Sequence, residues 1–255
     1  RGLPSLSDGP EEGLSVRVAT SLKAVPAGAW NACANPLALQ DALAAPCPPA
    51  DGSGADRDNP FVSHEFLLAL EESRCIGGRS GWSPAYLLVE EGNGQILAAA
   101  PSFLKSHSQG EYVFDHGWAD AYERAGGRYY PKLQVAAPFT PATGPRLLVA
   151  DTPGADEARV ALIAGLEALR AQTQSSSVHV TFAQEPDVAA LKRAGYLERN
   201  DLQFHWRNEG FRSYDDFLAT LASRKRKALK RERREALSAG ITVEALSGRE
   251  LTEAV

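Results

Sequence analysis

Two neighbouring stretches carry the side chains best suited to moving a proton. In "EYVFDHGWADAYER" the pair Asp115 and His116 sits among Glu111, Asp120 and Glu123. An imidazole beside a carboxylate can act as a general base, so His116 and Asp115 are the catalytic candidates; a surface hydrogen bond is the plainer alternative. The acidic residues match no standard ligand spacing, so no metal is expected. Further on, "GRYYPKLQVAAPFTPATGPRLL" (127–148) sets Tyr130 and Lys132 before a turn rich in Thr, Pro and Gly. Tyr130, Lys132, Thr140, Thr143, the Gly144 amide and Arg146 form a candidate substrate-binding set with donors for an anion. A rigid structural crossover is the competing reading of the same segment.

A third stretch, "SRKRKALKRERREAL" (223–237), has eight Lys or Arg in fifteen residues, although the chain carries a formal net charge of −5. Such a concentration of like charge costs self-repulsion that an anionic partner would relieve. Lys225, Arg226, Lys230 and Arg231 are the candidate anion-binding residues, with tRNA or a nucleotide-linked substrate as the partner class. A merely solvated face and adsorption to a membrane surface are the other readings.

Several classes of function are unsupported. No G-x-G-x-x-G follows a strand, no G-x-x-x-x-G-K-[ST] occurs, and "GGRSGW" and "DGSGA" both miss the G-x-S-x-G elbow. Cys33, Cys47 and Cys75 are odd in number and unpatterned, which fits free thiols in a reducing cytoplasm. No apolar run approaches the roughly eighteen residues of a membrane span.

These candidates need a scaffold, and the hydrophobic pattern predicts one. Strands are expected at 14–20, in a hairpin over "AYLLVEEGNGQILAAAPSFL", and at 132–137, 145–149, 177–182, 202–208 and 241–245. Helices are expected at 26–34, 64–74, near 117–125, at 155–173 and 185–196, and as one long helix from Ser213 or Asp215 to about 238. On that last helix Tyr214, Leu218, Leu221, Ala222, Ala228, Leu229 and Ala236 share one face, and Arg226, Lys227, Lys230, Arg231, Arg233 and Arg234 the other. The order predicts an α/β (α+β) fold, a mixed sheet flanked by helices. Its expected divisions are a flexible lead at 1–13, a main domain at 14–210, the basic amphipathic helix at 211–240, and at 241–255 the beginning of a second copy of the fold, cut off at the chain's end.

This order resembles the GNAT acyltransferase fold. The segments "NPFVSHEFLLALEES", "GEYVFDHGWADAYERAGGRYYPKL", "PFTPATGPRLL", "FHWRNEGF" and "DDFLATLASRKRKALKRERR" are similar to those of bacterial FemAB-like proteins, described as peptidoglycan biosynthesis/recognition proteins or N-acyltransferases. The resemblance spans about 14–255. It implies two GNAT-like halves and an acyl- or aminoacyltransferase acting on an amine, possibly of a peptidoglycan precursor. It also implies a cytoplasmic setting, with aminoacyl-tRNA or an acyl-CoA as donor. The GNAT acetyl-CoA motif [QR]-x-x-G-x-[GA] is missing from "PFTPATGPRLLVADTPGADEA", which leaves the donor open. A module that recognises a cell-wall precursor or RNA without turnover is the alternative.

Overall fold

The structure, a computed structural model, describes residues 13–36, 58–202, 204, 206–238, 240–247 and 250. The expected flexible lead, most of the Pro- and Gly-rich loop with Cys47, and the helix expected to follow Ser247 lie outside the described residues. The chain divides into two compact units, one ending at Arg199 and one beginning at Asn200.

The first unit is a mixed sheet between helices. β1 (Ser15–Ala19) pairs antiparallel with β3 (Tyr86–Glu90), β3 with β4 (Ile96–Ala100), and β4 with β7 (Leu148–Val149). A second set runs β2 (Trp82–Pro84), β5 (Ser102–Lys105), β6 (Lys132–Val135), β8 (Val178–Val180); only the last pairing is parallel. The two sets are joined at the backbone. β2 runs into β3 and β4 into β5, and the breaks are bridged by Ala85 N–H to the Ser102 carbonyl (2.9 Å) and Ala136 N–H to the Pro101 carbonyl (3.1 Å). Pro101 has no N–H to offer, which accounts for an interruption there. β6 and β7 are thus two ends of one strand, and the chain between them leaves the ladder as an excursion carrying Phe139, Thr140, Thr143, Gly144 and Arg146.

Strand residues alternate between two cores, as the pleat requires. Tyr86 and Leu88 face a cluster with Trp30 and Leu67 from α1 (Ala27–Ala34) and α2 (His64–Glu72). Leu87 and Val89 face one with Leu162, Leu166 and Leu169 of α4 (Ala155–Gln172). At Gly165 the helix lies so near the sheet that a Cβ would stand 2.8 Å from both Leu87 and Val16 side-chain atoms. Ser63 caps α2, its hydroxyl accepting from Phe66 N–H at 3.2 Å. α3 (His116–Arg124) lies in the insert between β5 and β6, and α5 (Glu185–Arg193) follows β8.

The second unit differs from expectation. The single long helix is two: α6 (Tyr214–Thr220) and α7 (Ser223–Leu237). Leu221 and Ala222 between them are extended, with ψ of 149° and 143°, so no common wheel spans the two. Ser213 and Asp216 form a reciprocal capping box at the start of α6. Among the described residues of 202–208 and 241–247 there is no strand. The aromatic side chains instead cluster: Trp206, Phe211 and Phe217 pack ring to ring at 5.7–6.3 Å.

Candidate active site

The register of β5 against β6 sets Lys105 directly opposite Lys132. Both side chains are fully buried. Two like charges facing across a ladder repel, and burial raises the cost, so carboxylates must come to them. The insert that joins the two strands supplies both. Lys132 Nζ donates to Glu111 Oε2 at 2.7 Å, to Asp115 Oδ2 at 2.7 Å and to the Ser108 hydroxyl at 2.8 Å, using its three hydrogens. Lys105 Nζ lies 3.8 Å from Glu111 Oε1, donates to the Gln109 carbonyl at 3.2 Å and stands 3.6 Å from the centre of the Trp82 ring. Two cations and two anions thus balance inside one apolar wall.

The two carboxylates and Lys105 do not hold protons alike. Burial raises the Glu111 carboxyl above its ordinary range, and the Lys132 charge only partly offsets this. Burial pushes Asp115 the same way, but hydrogen bonds from Lys132, Ser108 and Tyr129 outweigh it and hold its pKa at about 2. Burial lowers Lys105 to about 8 against the pull of Glu111. His179, half-buried beside Tyr129, is brought down to about 4 by burial and the Lys132 charge, so its ring is neutral at pH 7.

Tyrosines connect this interior to the surface. The Tyr129 hydroxyl donates to Asp115 at 2.8 Å. The half-buried Tyr130 shares a 2.7 Å hydrogen bond with Ser108. Tyr130, Ser108, Lys132 and Glu111 therefore make a continuous polar chain. The excursion meets the same region: Phe139 N–H bonds the Gly110 carbonyl at 3.1 Å and its ring lies tilted against Trp82, the centres 5.4 Å apart. Gly110 has a φ of 79°, and a Cβ there would strike the Phe139 ring at 2.6 Å.

The residues singled out in the sequence fall into three groups. Asp115, Tyr130 and Lys132 converge. His116 occupies the first turn of α3 with an exposed ring, outside the hydrogen-bonded network. The excursion's residues are turned to its own backbone: the buried Arg146 guanidinium donates to the Thr181, Pro145 and Ala142 carbonyls, and Thr140 to the Pro138 carbonyl. Gly144 N–H bonds the Phe182 carbonyl, while Thr143 is exposed. Lys105, Ser108, Glu111 and Tyr129 complete the cluster and were not among the candidates. The available signal was a lysine at the facing ends of two apolar strands with an acidic insert between.

In the second unit, α7 buries no residue completely. The cationic side expected to face away packs in part against the start of α6: Lys230 pairs with Asp215 at 2.9 Å and the Arg233 guanidinium lies 4.7 Å from the Tyr214 ring centre. Arg231 approaches Glu235 at 3.5 Å, and Arg226 donates to the Ala219 carbonyl at 3.3 Å. Lys225 is exposed and has no partner among the described residues.

The family model FemAB-like, described as peptidoglycan biosynthesis/recognition, matches residues 21–255. The chain is a member of the FemAB-like family. No curated protein matches it. Among solved structures, the aminoglycoside 6′-N-acetyltransferase AAC(6′)-Ih of Acinetobacter baumannii is 15% identical, with a TM-score of 0.37 over 78% of this chain and 100% of that one. The ribosomal-protein-alanine N-acetyltransferase of Brucella melitensis biovar Abortus 2308 is 14% identical, with a TM-score of 0.39 over 77% and 99%. With TM-scores below 0.5, neither likeness carries an argument about this FemAB-like chain. No helix of the described residues is long and apolar enough to cross a membrane.

Proposed function

We propose that this FemAB-like protein is an N-acyltransferase that moves an acyl or aminoacyl group onto the amine of a peptidoglycan precursor. The observation that carries the reading is the pair of carboxylates against Lys132 with opposed proton affinities. Attack on the donor carbonyl needs a neutral amine and a group to take its proton. Glu111, raised above the ordinary carboxylate range, is matched to that task; Asp115 stays ionised and balances Lys132, so neither it nor the exposed His116 is assigned the proton. The amine nitrogen bonds the carbonyl carbon as that carbon's bond to the donor's oxygen or sulfur breaks; the amine's proton passes along Tyr130, Ser108 and Lys132 to Glu111, and the departing oxygen or sulfur takes it back along the same chain. Lys132 holds the network in place, and α7 offers charge to a polyanionic donor such as aminoacyl-tRNA. Those donors and nucleotide-linked acceptors are cytoplasmic, and this reading places the protein there.

Recognition without turnover is favoured by one feature: Glu111 is only 4% exposed, behind Ser108 and Tyr130. The full chain, given labelled aminoacyl-tRNA or labelled acyl-CoA with a nucleotide-linked muropeptide, separates the two. Label in the muropeptide with one donor supports transfer and names the donor class. Precursor binding with no label transferred from either donor leaves recognition.

A further inference from the structure

Away from the lysine pair, the first unit holds a surface groove of about 730 Å³ where the end of α2 turns toward β2. Its rim carries Arg74 and Arg79, both exposed, and neither has an ion-pair partner among the described residues. Between them the backbone passes through Gly77 and Gly78 at φ of 80° and 54°, a region closed to most side chains. A Cβ on either glycine would touch nothing within 4 Å, so packing does not ask for glycine there. The amides of this turn are unequally used. Gly77 N–H bonds the Trp82 carbonyl at 2.7 Å and Ser80 N–H bonds the Gly77 carbonyl at 3.1 Å. The consecutive N–H groups of Gly78 and Arg79 have no partner among the described residues.

The groove has one carboxylate of its own, Glu71. Its two oxygens are engaged by the Ser21 hydroxyl at 2.6 Å and Leu22 N–H at 2.9 Å, which fixes it to the wall. The neighbouring Glu72 is paired with Lys23 at 3.3 Å. Two guanidinium groups and two successive amides without partners among the described residues thus belong to a groove whose one carboxylate is already hydrogen-bonded.

From this we infer that the groove binds the phosphate or diphosphate of a small molecule. Guanidinium forks and successive free amides are matched to tetrahedral oxyanions, and the volume exceeds what one phosphate needs, leaving room for the group it is esterified to. The inference stands without the acyl-transfer reading.

The test uses the full chain, isotope-labelled, titrated with inorganic pyrophosphate and followed by amide NMR. Shifts at Gly78 and Arg79 that saturate are expected, with binding weakened at least tenfold in Arg74→Ala/Arg79→Ala and kept when Lys225, Arg226 and Arg231 are changed to Ala. Both arginines are exposed, and an unchanged amide pattern elsewhere verifies the fold of the double variant. No shift at Gly78 and Arg79, or the same affinity in the double variant, overturns the assignment.

Discussion

The lysine cluster of the first unit and α7 of the second are both dense in charge, and they treat it in opposite ways. Inside, two cations meet two anions at 2.7–3.8 Å, and Lys105, Glu111 and Asp115 are each moved from their ordinary proton affinity. Outside, eight cations share one helix with two glutamates, and no residue of α7 is completely buried. Burial removes water as the competing partner, so each interior group depends on its neighbours for both position and protonation state. On the surface water does that work, and charges stay available to a partner from solution. The interior arrangement is built to hold a proton at one place; the exterior one is built to attract a large anion.

The comparison breaks most visibly at Lys132. Lys132→Met leaves Glu111 and Asp115 buried without their shared cation, and removal of one member of a buried pair typically costs about 3–5 kcal/mol. Chemical denaturation of the first unit, followed through its buried Trp30 and Trp82 fluorescence, should show a loss on that order. A loss below about 1 kcal/mol would mean the cluster is wetter than it looks.

The next effect is pH dependence. The folded pKa of Asp115, about 2, lies below its ordinary 3.8. Its contribution is therefore complete above the ordinary value and disappears as pH falls toward 2, a change on the order of 2 kcal/mol. Asp115→Asn should flatten the wild-type stability curve between about pH 4 and 2. An equally steep acid limb in the variant would assign that limb to another carboxylate.

The smallest effect on stability belongs to α7. Changing Lys225, Arg226, Lys230 and Arg231 to Glu breaks only exposed pairs, each worth about 0–1 kcal/mol. Salt-sensitive binding of tRNA should nevertheless vanish, because each lost phosphate contact removes its share of counterion release. Retained binding with an unaltered salt slope would take α7 out of donor recognition.

What the sequence made legible follows the same division. Helices α2 and α4 announce themselves through a serine cap and apolar steps of three, and β3–β4 through two continuous apolar runs around the turn at 92–94. The lysine cluster was only half visible. Asp115, Tyr130 and Lys132 stand near one another in the chain, but Lys105 joins them through strand register, which no local spacing encodes. The second unit misled for a physical reason. Leu218, Leu221 and Ala222 continue an apolar stripe, and neither Gly nor Pro marks the break at Leu221, so periodicity alone carries the helix through it. At 202–208 the aromatic alternation suits a strand, but Phe204 is exposed and the Trp206 ring packs on Phe211 and Phe217, further along the chain. Arg146 read as a ligand because it follows a Thr–Gly turn; its guanidinium is consumed by three carbonyls of the excursion and its surroundings.

The central claim is that Glu111 takes the proton of the attacking amine. The most direct measurement is the pH–rate profile of single-turnover acyl transfer by wild-type protein and Glu111→Gln, each checked for an intact fold. The account predicts a wild-type rate that rises with pH through a pKa above the ordinary 4.5 of a glutamate. It predicts a rate lower by about 10²–10⁴ in the variant, with that limb gone. A variant that keeps the wild-type rate and profile would contradict it.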